Sequence, residues 1–185
     1  MVEIPFVTVE LLFAAAWLLW RAAVCVRRGS VDWKREGILL LMYVNLAVII
    51  RFAFFPMDRV NGRVQPLLFD PAAVFPFRVN LVPFVNLFDY ETKRKLLLNV
   101  VGNVGMYIPS GIVLPVVCKK RDGFGKTVLT GALISLCFEM LQLPFNVRTS
   151  DIDDLILNTL GVAVGYGIYF ACAGRRRVRG GKIHD

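Results

Sequence analysis

Between Glu139 and Gly161 the chain reads EMLQLPFNVRTSDIDDLILNTLG, with Glu139, Gln142, Arg148, Asp151, Asp153, Asp154 and Asn158 set among apolar residues. Carboxylates can move protons or bind cations and hydroxyls. Arginine can grip a phosphate or carboxylate through two parallel hydrogen bonds, and amides can serve either partner. Glu139 and Gln142 are three apart, and Asp151, Asp154 and Asn158 follow at intervals of three and four. Each set therefore lies on one face of a helix. Asn99 and Asn103 repeat the four-residue spacing upstream, and Arg51 interrupts another apolar run.

The elements that carry these residues belong in lipid. Of the 185 residues, 56% are hydrophobic, and the mean hydropathy is +0.59. Five stretches, about 6–26, 37–56, 96–117, 127–145 and 152–173, reach the length of roughly 20 apolar residues that a crossing helix needs. The expected fold is all-α, a polytopic membrane helix bundle of about five transmembrane helices forming one integral domain over residues 1–185. The opening MVEIPFVTVE has no basic residue ahead of its apolar run, so it reads as an uncleaved anchor. Cys25, Cys118, Cys137 and Cys172 lack CxxC spacing and read as buried thiols. His184 stands alone in the polar tail, and neither a metal site nor a cofactor is expected.

The net charge of +8 is carried by short basic clusters between apolar runs, which argues against nucleic acid. Thirteen basic residues fall in 27–35, 119–126 and the tail 174–185, against seven in the other connectors. The positive-inside rule then places the N-terminus outside and the C-terminus in the cytoplasm. Arg21, near the inner end of the first span, is expected to snorkel toward the headgroups. Residues 57–95 are apolar but broken by Pro66, Pro71, Pro76 and Pro83, and read as an outer interfacial connector.

On these spans Arg51, Asn99, Asn103, Glu139, Gln142, Asp151, Asp154 and Asn158 fall within about 10 Å of the outer boundary, at a rise of 1.5 Å per residue. A charge at the centre of the bilayer costs roughly 2.5–3.5 kcal/mol on insertion scales, and less near its edge. Such residues persist where they pair or where they work. One reading is a structural network in which Arg51 and Arg148 neutralise Glu139 and the aspartates; the other is a site open to the outside. Aspartates at a helix start also cap it and complement its dipole, which weakens any metal reading of Asp151, Asp153 and Asp154. Gly161 and Gly165 form a small-xxx-small pair suited to close helix contact. LLLNVVGNVGMYI (96–108) is also echoed by LILNTLGVAVGYGI (155–168), a faint internal repeat.

The pattern E-x-x-Q-x(5)-R-x-x-D-x-x-D-x-x-x-N-x-x-G, filled from Glu139 to Gly161, resembles the VanZ-like family of bacterial membrane proteins. NLVPF (80–84) and the set Asn103, Tyr107, Pro109 and Gly111 resemble its other motifs, with Tyr107 where phenylalanine is expected. The resemblance covers about residues 78–170. It implies a small integral membrane protein linked to lowered susceptibility to teicoplanin-type glycopeptides, and the motif does not specify a mechanism.

Three functions compete. A binding protein would engage membrane lipid, a lipid-linked wall precursor or a glycopeptide antibiotic. Arg51, Arg148 and Arg78 would face phosphate or carboxylate, and Asn80, Asn86, Asn99, Asn103 and Asn158 would supply amides. An enzyme at the same surface would use Glu139 or Asp154 as general base, although no GxSxG or HExxH signature is present. A transporter would need polar groups near the midplane, which only Asn45 and Asn103 approach.

Overall fold

The computed structural model describes residues 2–55, 59–74, 79–84, 92–117, 123–145 and 150–180. Among the described residues five helices are long and apolar enough to cross a membrane: α1 (Phe6–Arg28), α2 (Trp33–Phe54), α3 (Lys93–Val117), α4 (Phe124–Gln142) and α5 (Ile152–Gly180, apolar to Ala173). The protein is a multi-pass membrane protein of the all-α class, and strands are minor elements. Its described residues group into two compact units, Met1–Pro83 with Leu136–Ile152, and Phe84–Ser135 with Asp153–Asp185.

In the first unit, α1 and α2 form a helical hairpin whose turn is written in Gly29-Ser30-Val31-Asp32. Gly29 takes φ 66°, and its N–H donates to the Cys25 and Val26 carbonyls at 3.0 and 3.2 Å. Glycine suits that left-handed position because it has no Cβ to clash. Asp32 then caps α2, its Oδ1 accepting from the Lys34 and Arg35 amides at 3.1 and 3.2 Å. Phe13 stacks on Tyr43 at 5.2 Å, and Trp17 leans on the same ring at 5.6 Å.

Near that turn Arg21 is paired. Only 8% exposed, it donates from Nε to Glu36 Oε2 at 2.9 Å and from Nη2 to Oε1. Trp20 lies 5.1 Å from its guanidinium carbon. The hairpin brings Glu36, in the first turn of α2, opposite Arg21. The pair is bidentate, with two parallel charge-assisted hydrogen bonds.

The other end of α1 and α2 closes over an aromatic core. Ile50, Phe54, Phe55 and Leu67 are buried there, with Phe6, Phe138 and Phe145 packed against them. Phe54 meets Phe138 at 5.9 Å and Phe145 at 5.7 Å, both edge-on. The connector supplies short strands over this core. β1 (Val2–Ile4) pairs antiparallel with β4 (Leu67–Phe69), in register Val2↔Phe69 and Ile4↔Leu67. β2 (Arg59–Val60) and β3 (Arg63–Val64) make a tight hairpin. Its turn residues Asn61 and Gly62 have φ 51° and 74°, the positive values a two-residue hairpin turn demands. β5 (Val79–Asn80) runs parallel to β6 (Ser150–Asp151), in register Val79↔Ser150 and Asn80↔Asp151. The interfacial segment expected from sequence thus contains strand pairs where it is described.

In the second unit α3 and α5 approach backbone to backbone. A Cβ on Gly165 would collide with the Ile108 carbonyl and stand 3.0 Å from Gly111 Cα, and one on Gly161 would collide with the Val104 carbonyl. The small-xxx-small pair therefore is a helix contact, with Gly111 as its counterpart on α3. On α4, Gly131 leaves room for the Val162 side chain, which is fully buried. The repeat noted in the sequence does not extend to packing, since Gly102, which corresponds to Gly161, has nothing near its missing Cβ.

Candidate functional site

Two polar groups stand on this frame, one in each unit. In the first unit Glu139 sits one turn from the end of α4 and is 5% exposed. Its Oε2 accepts from Ser150 Oγ at 3.1 Å and from the Asp151 amide at 3.2 Å. Asp151 in turn accepts from Asn80 Nδ2 at 3.3 Å. The β5–β6 pairing sets Asn80 beside Asp151, so strand register assembles the carboxylates and the amide. Asn80 Oδ1 also accepts from the Val82 amide at 3.1 Å, which turns the chain after β5.

Gln142 and Arg51 serve the end of α2. The last carbonyls of a helix lack intrahelical donors, and Gln142 Nε2 donates to the Ala53 carbonyl at 3.0 Å. Arg51 Nη1 donates to the Phe55 carbonyl at 3.1 Å, and its guanidinium lies 5.5 Å from the Phe6 ring and 5.4 Å from that of Phe52. These contacts give both residues a local structural task.

In the second unit Asn103 Nδ2 donates to Asp154 Oδ1 at 2.6 Å and to Asn99 Oδ1 at 3.3 Å, bridging α3 and α5. One turn further along α5, Asn158 donates to Ser135 Oγ at 2.9 Å; both are buried. Asp153 Oδ1 accepts from the Phe84 amide at 2.8 Å. Phe84 takes φ 66°, a left-handed conformation that costs a bulky residue on the order of 1–3 kcal/mol. Asp153 and Asp154 lie in the first turn of α5, where negative charge complements the helix dipole.

Sequence spacing grouped Asn99 with Asn103, Glu139 with Gln142, and Asp151 with Asp154 and Asn158. The structure instead joins Asn99, Asn103 and Asp154 in one unit and Glu139, Asp151 and Asn80 in the other, so the stripe from Asp151 to Asn158 is divided between two networks. Arg148, Arg78 and Asn86 lie outside the described residues. Sequence reasoning missed Ser135 and Ser150. The first has a signal, because it sits four residues before Glu139 on the same face of α4. The second has none, because its role follows from the strand pairing.

A model of the VanZ/LLP1 family matches residues 38–173. The chain belongs to the VanZ/LLP1 family. It is 28% identical over 137 residues to Protein VanZ of Enterococcus faecium, covering 72% of each chain. No solved structure matches it. The family match includes every polar residue described in the two networks.

Proposed function

We propose that this VanZ-like membrane protein acts at the outer leaflet of the cell membrane, with its N-terminus outside and its C-terminus cytoplasmic. There its polar networks bind the head of an envelope lipid, a lipid-linked wall precursor or a membrane-anchored glycopeptide, and so lower susceptibility to teicoplanin-type antibiotics. The observation that carries this reading is the Glu139 carboxylate, buried yet hydrogen-bonded to Ser150 and Asp151 in an apolar protein. A charge kept at a span end is expensive, and a site for polar headgroups gives it a use. The likeness to Protein VanZ supports the same direction.

The test compares wild type with Glu139→Gln, Asp154→Asn and Arg148→Lys in a glycopeptide-susceptibility assay, at equal membrane abundance. The first two changes keep the shape of the side chain and can accept the same described hydrogen bonds. Loss of protection with unchanged abundance supports the reading. Full protection by all three sinks it.

One contact favours a second reading, a membrane enzyme acting on an outer-leaflet lipid or wall precursor. Ser150 Oγ lies 3.1 Å from Glu139 Oε2, within reach for a carboxylate to take a hydroxyl proton. Ser150→Ala separates the two. An enzyme that uses this hydroxyl loses all activity, while a binding protein keeps most of it.

A further inference from the structure

The connector treats its apolar residues in opposite ways. Leu67 is 2% exposed and packs in the aromatic core of the first unit, whereas Leu81 is 71% exposed and Val82 58% in the same unit. The exposed pair does not lie on a slack loop. Asn80 holds it from both sides, through Val82 N to Oδ1 at 3.1 Å and Nδ2 to Asp151 Oδ1 at 3.3 Å.

The register of β5 on β6 also sets the turn beside the start of a candidate span. Asn80 pairs with Asp151, and the next residue, Ile152, starts the membrane span of α5. At about 3.3 Å per residue, Leu81 and Val82 stand within roughly 7 Å of the Asn80–Asp151 pair, whose next residue opens the candidate span. Two exposed aliphatic side chains there are matched by acyl chains, not by water.

We propose that the Asn80–Val82 turn is inserted in the bilayer, with Leu81 and Val82 among the acyl chains at the end of the molecule where α5 begins. The polar group beside it, Asn80, Asp151 and Glu139, then meets the membrane from the side. Its ligand is an amphiphile that arrives through the leaflet, with its head on these three residues and its chain along Leu81 and Val82. This assignment of the ligand rests on the binding function proposed above; the depth of the turn does not.

Depth is measured on the purified protein in vesicles of phosphatidylethanolamine with phosphatidylglycerol, without ligand. Cys25, Cys118, Cys137 and Cys172 are replaced by serine, and a nitroxide is attached after Val82→Cys. Collisions with dissolved oxygen should exceed those with a water-soluble nickel chelate several-fold. A second variant, Leu81→Trp with Trp17, Trp20 and Trp33 changed to phenylalanine, should be quenched by lipids brominated near the headgroup end of the chain and protected from acrylamide. Nickel access above oxygen access, with acrylamide quenching at position 81, overturns the proposal and leaves the exposed pair to a protein partner. Because neither measurement involves susceptibility, that result would stand apart from any loss of protection in Glu139→Gln.

Discussion

Replacing Gly165 by alanine should destabilise the protein, while the same change at Gly105 should not. A methyl group on Gly165 runs into the Ile108 carbonyl and stands 3.0 Å from Gly111 Cα. A carbon normally stays about 3.3 Å from a carbonyl oxygen, and the Ile108 oxygen would stand well inside that distance, so α3 and α5 must separate by about 1 Å. Both obstacles are backbone atoms and cannot swing away. A gap of that size forfeits a quarter to a half of each pairwise dispersion contact along the seam, and overpacking of this kind costs about 1–3 kcal/mol. A methyl group added at Gly105 would meet nothing within 4 Å. Alanine there gains helix propensity, up to about 1 kcal/mol and less where the unfolded chain stays helical in detergent. The assay is thermal stability in mild detergent, read as the fraction still monodisperse after heating. Gly165→Ala should melt several degrees below wild type and Gly105→Ala at or slightly above it. Gly111→Ala should resemble Gly165→Ala, and the double variant should lose less than the sum, because one methyl already parts the helices. If Gly165→Ala and Gly105→Ala melt together, the close approach of α3 and α5 is not there.

Glu36→Gln should destabilise by about 1–3 kcal/mol, because it strips a buried guanidinium of its counter-charge; an Arg21→Met, Glu36→Leu double variant should recover most of the loss in the same thermal assay. Gln142→Leu leaves the Ala53 carbonyl without its donor and should cost about 1–2 kcal/mol, whereas unchanged stability would show the bond to be dispensable. With a cysteine-free background, Arg63→Cys should react with an impermeant maleimide in intact cells and Asp122→Cys only after permeabilisation. The reverse pattern inverts the proposed topology.

Hydropathy made the five spans legible, since a stretch of about 20 apolar residues has few other uses. The turn Gly29-Ser30-Val31-Asp32 was legible in principle too, from its glycine C-cap and aspartate N-cap. The strands were harder. Each has only two or three residues, too few for a period-two pattern, and β2 to β5 lie in a segment whose prolines and apolar residues read as interfacial chain. Asn61-Gly62 was the available hairpin signal and went unused. Among the polar residues, periodicity along one helix found Asn99 with Asn103 as one stripe and Asp151, Asp154 and Asn158 as another, without saying which stripe meets which. It could not find Arg21–Glu36, because their partnership depends on how two helices align across a turn. Gly161 and Gly165 announced a close contact without naming the surface they meet. That surface, at Val104, Ile108 and Gly111, is mostly carbonyl oxygen, which carries no residue signature.

The hydrogen bonds described around Glu139 and Asp154 do not themselves require charge. Glu139 accepts two donors on one oxygen, and a glutamine carbonyl could accept both. Asp154 takes the Asn103 amide on one oxygen, as an asparagine could. A neutral amide at either place would avoid part of the roughly 2.5–3.5 kcal/mol that a charge costs in a span. Gln142 illustrates the alternative, because an uncharged side chain closes the end of α2 by the same kind of bond. Geometry therefore accounts for the positions of the carboxylates through bonds that a neutral amide could also accept. For that reason the near-isosteric variants are the informative ones: they remove the charge and keep the described hydrogen bonds, so a change in protection at constant abundance reports on what the charge does.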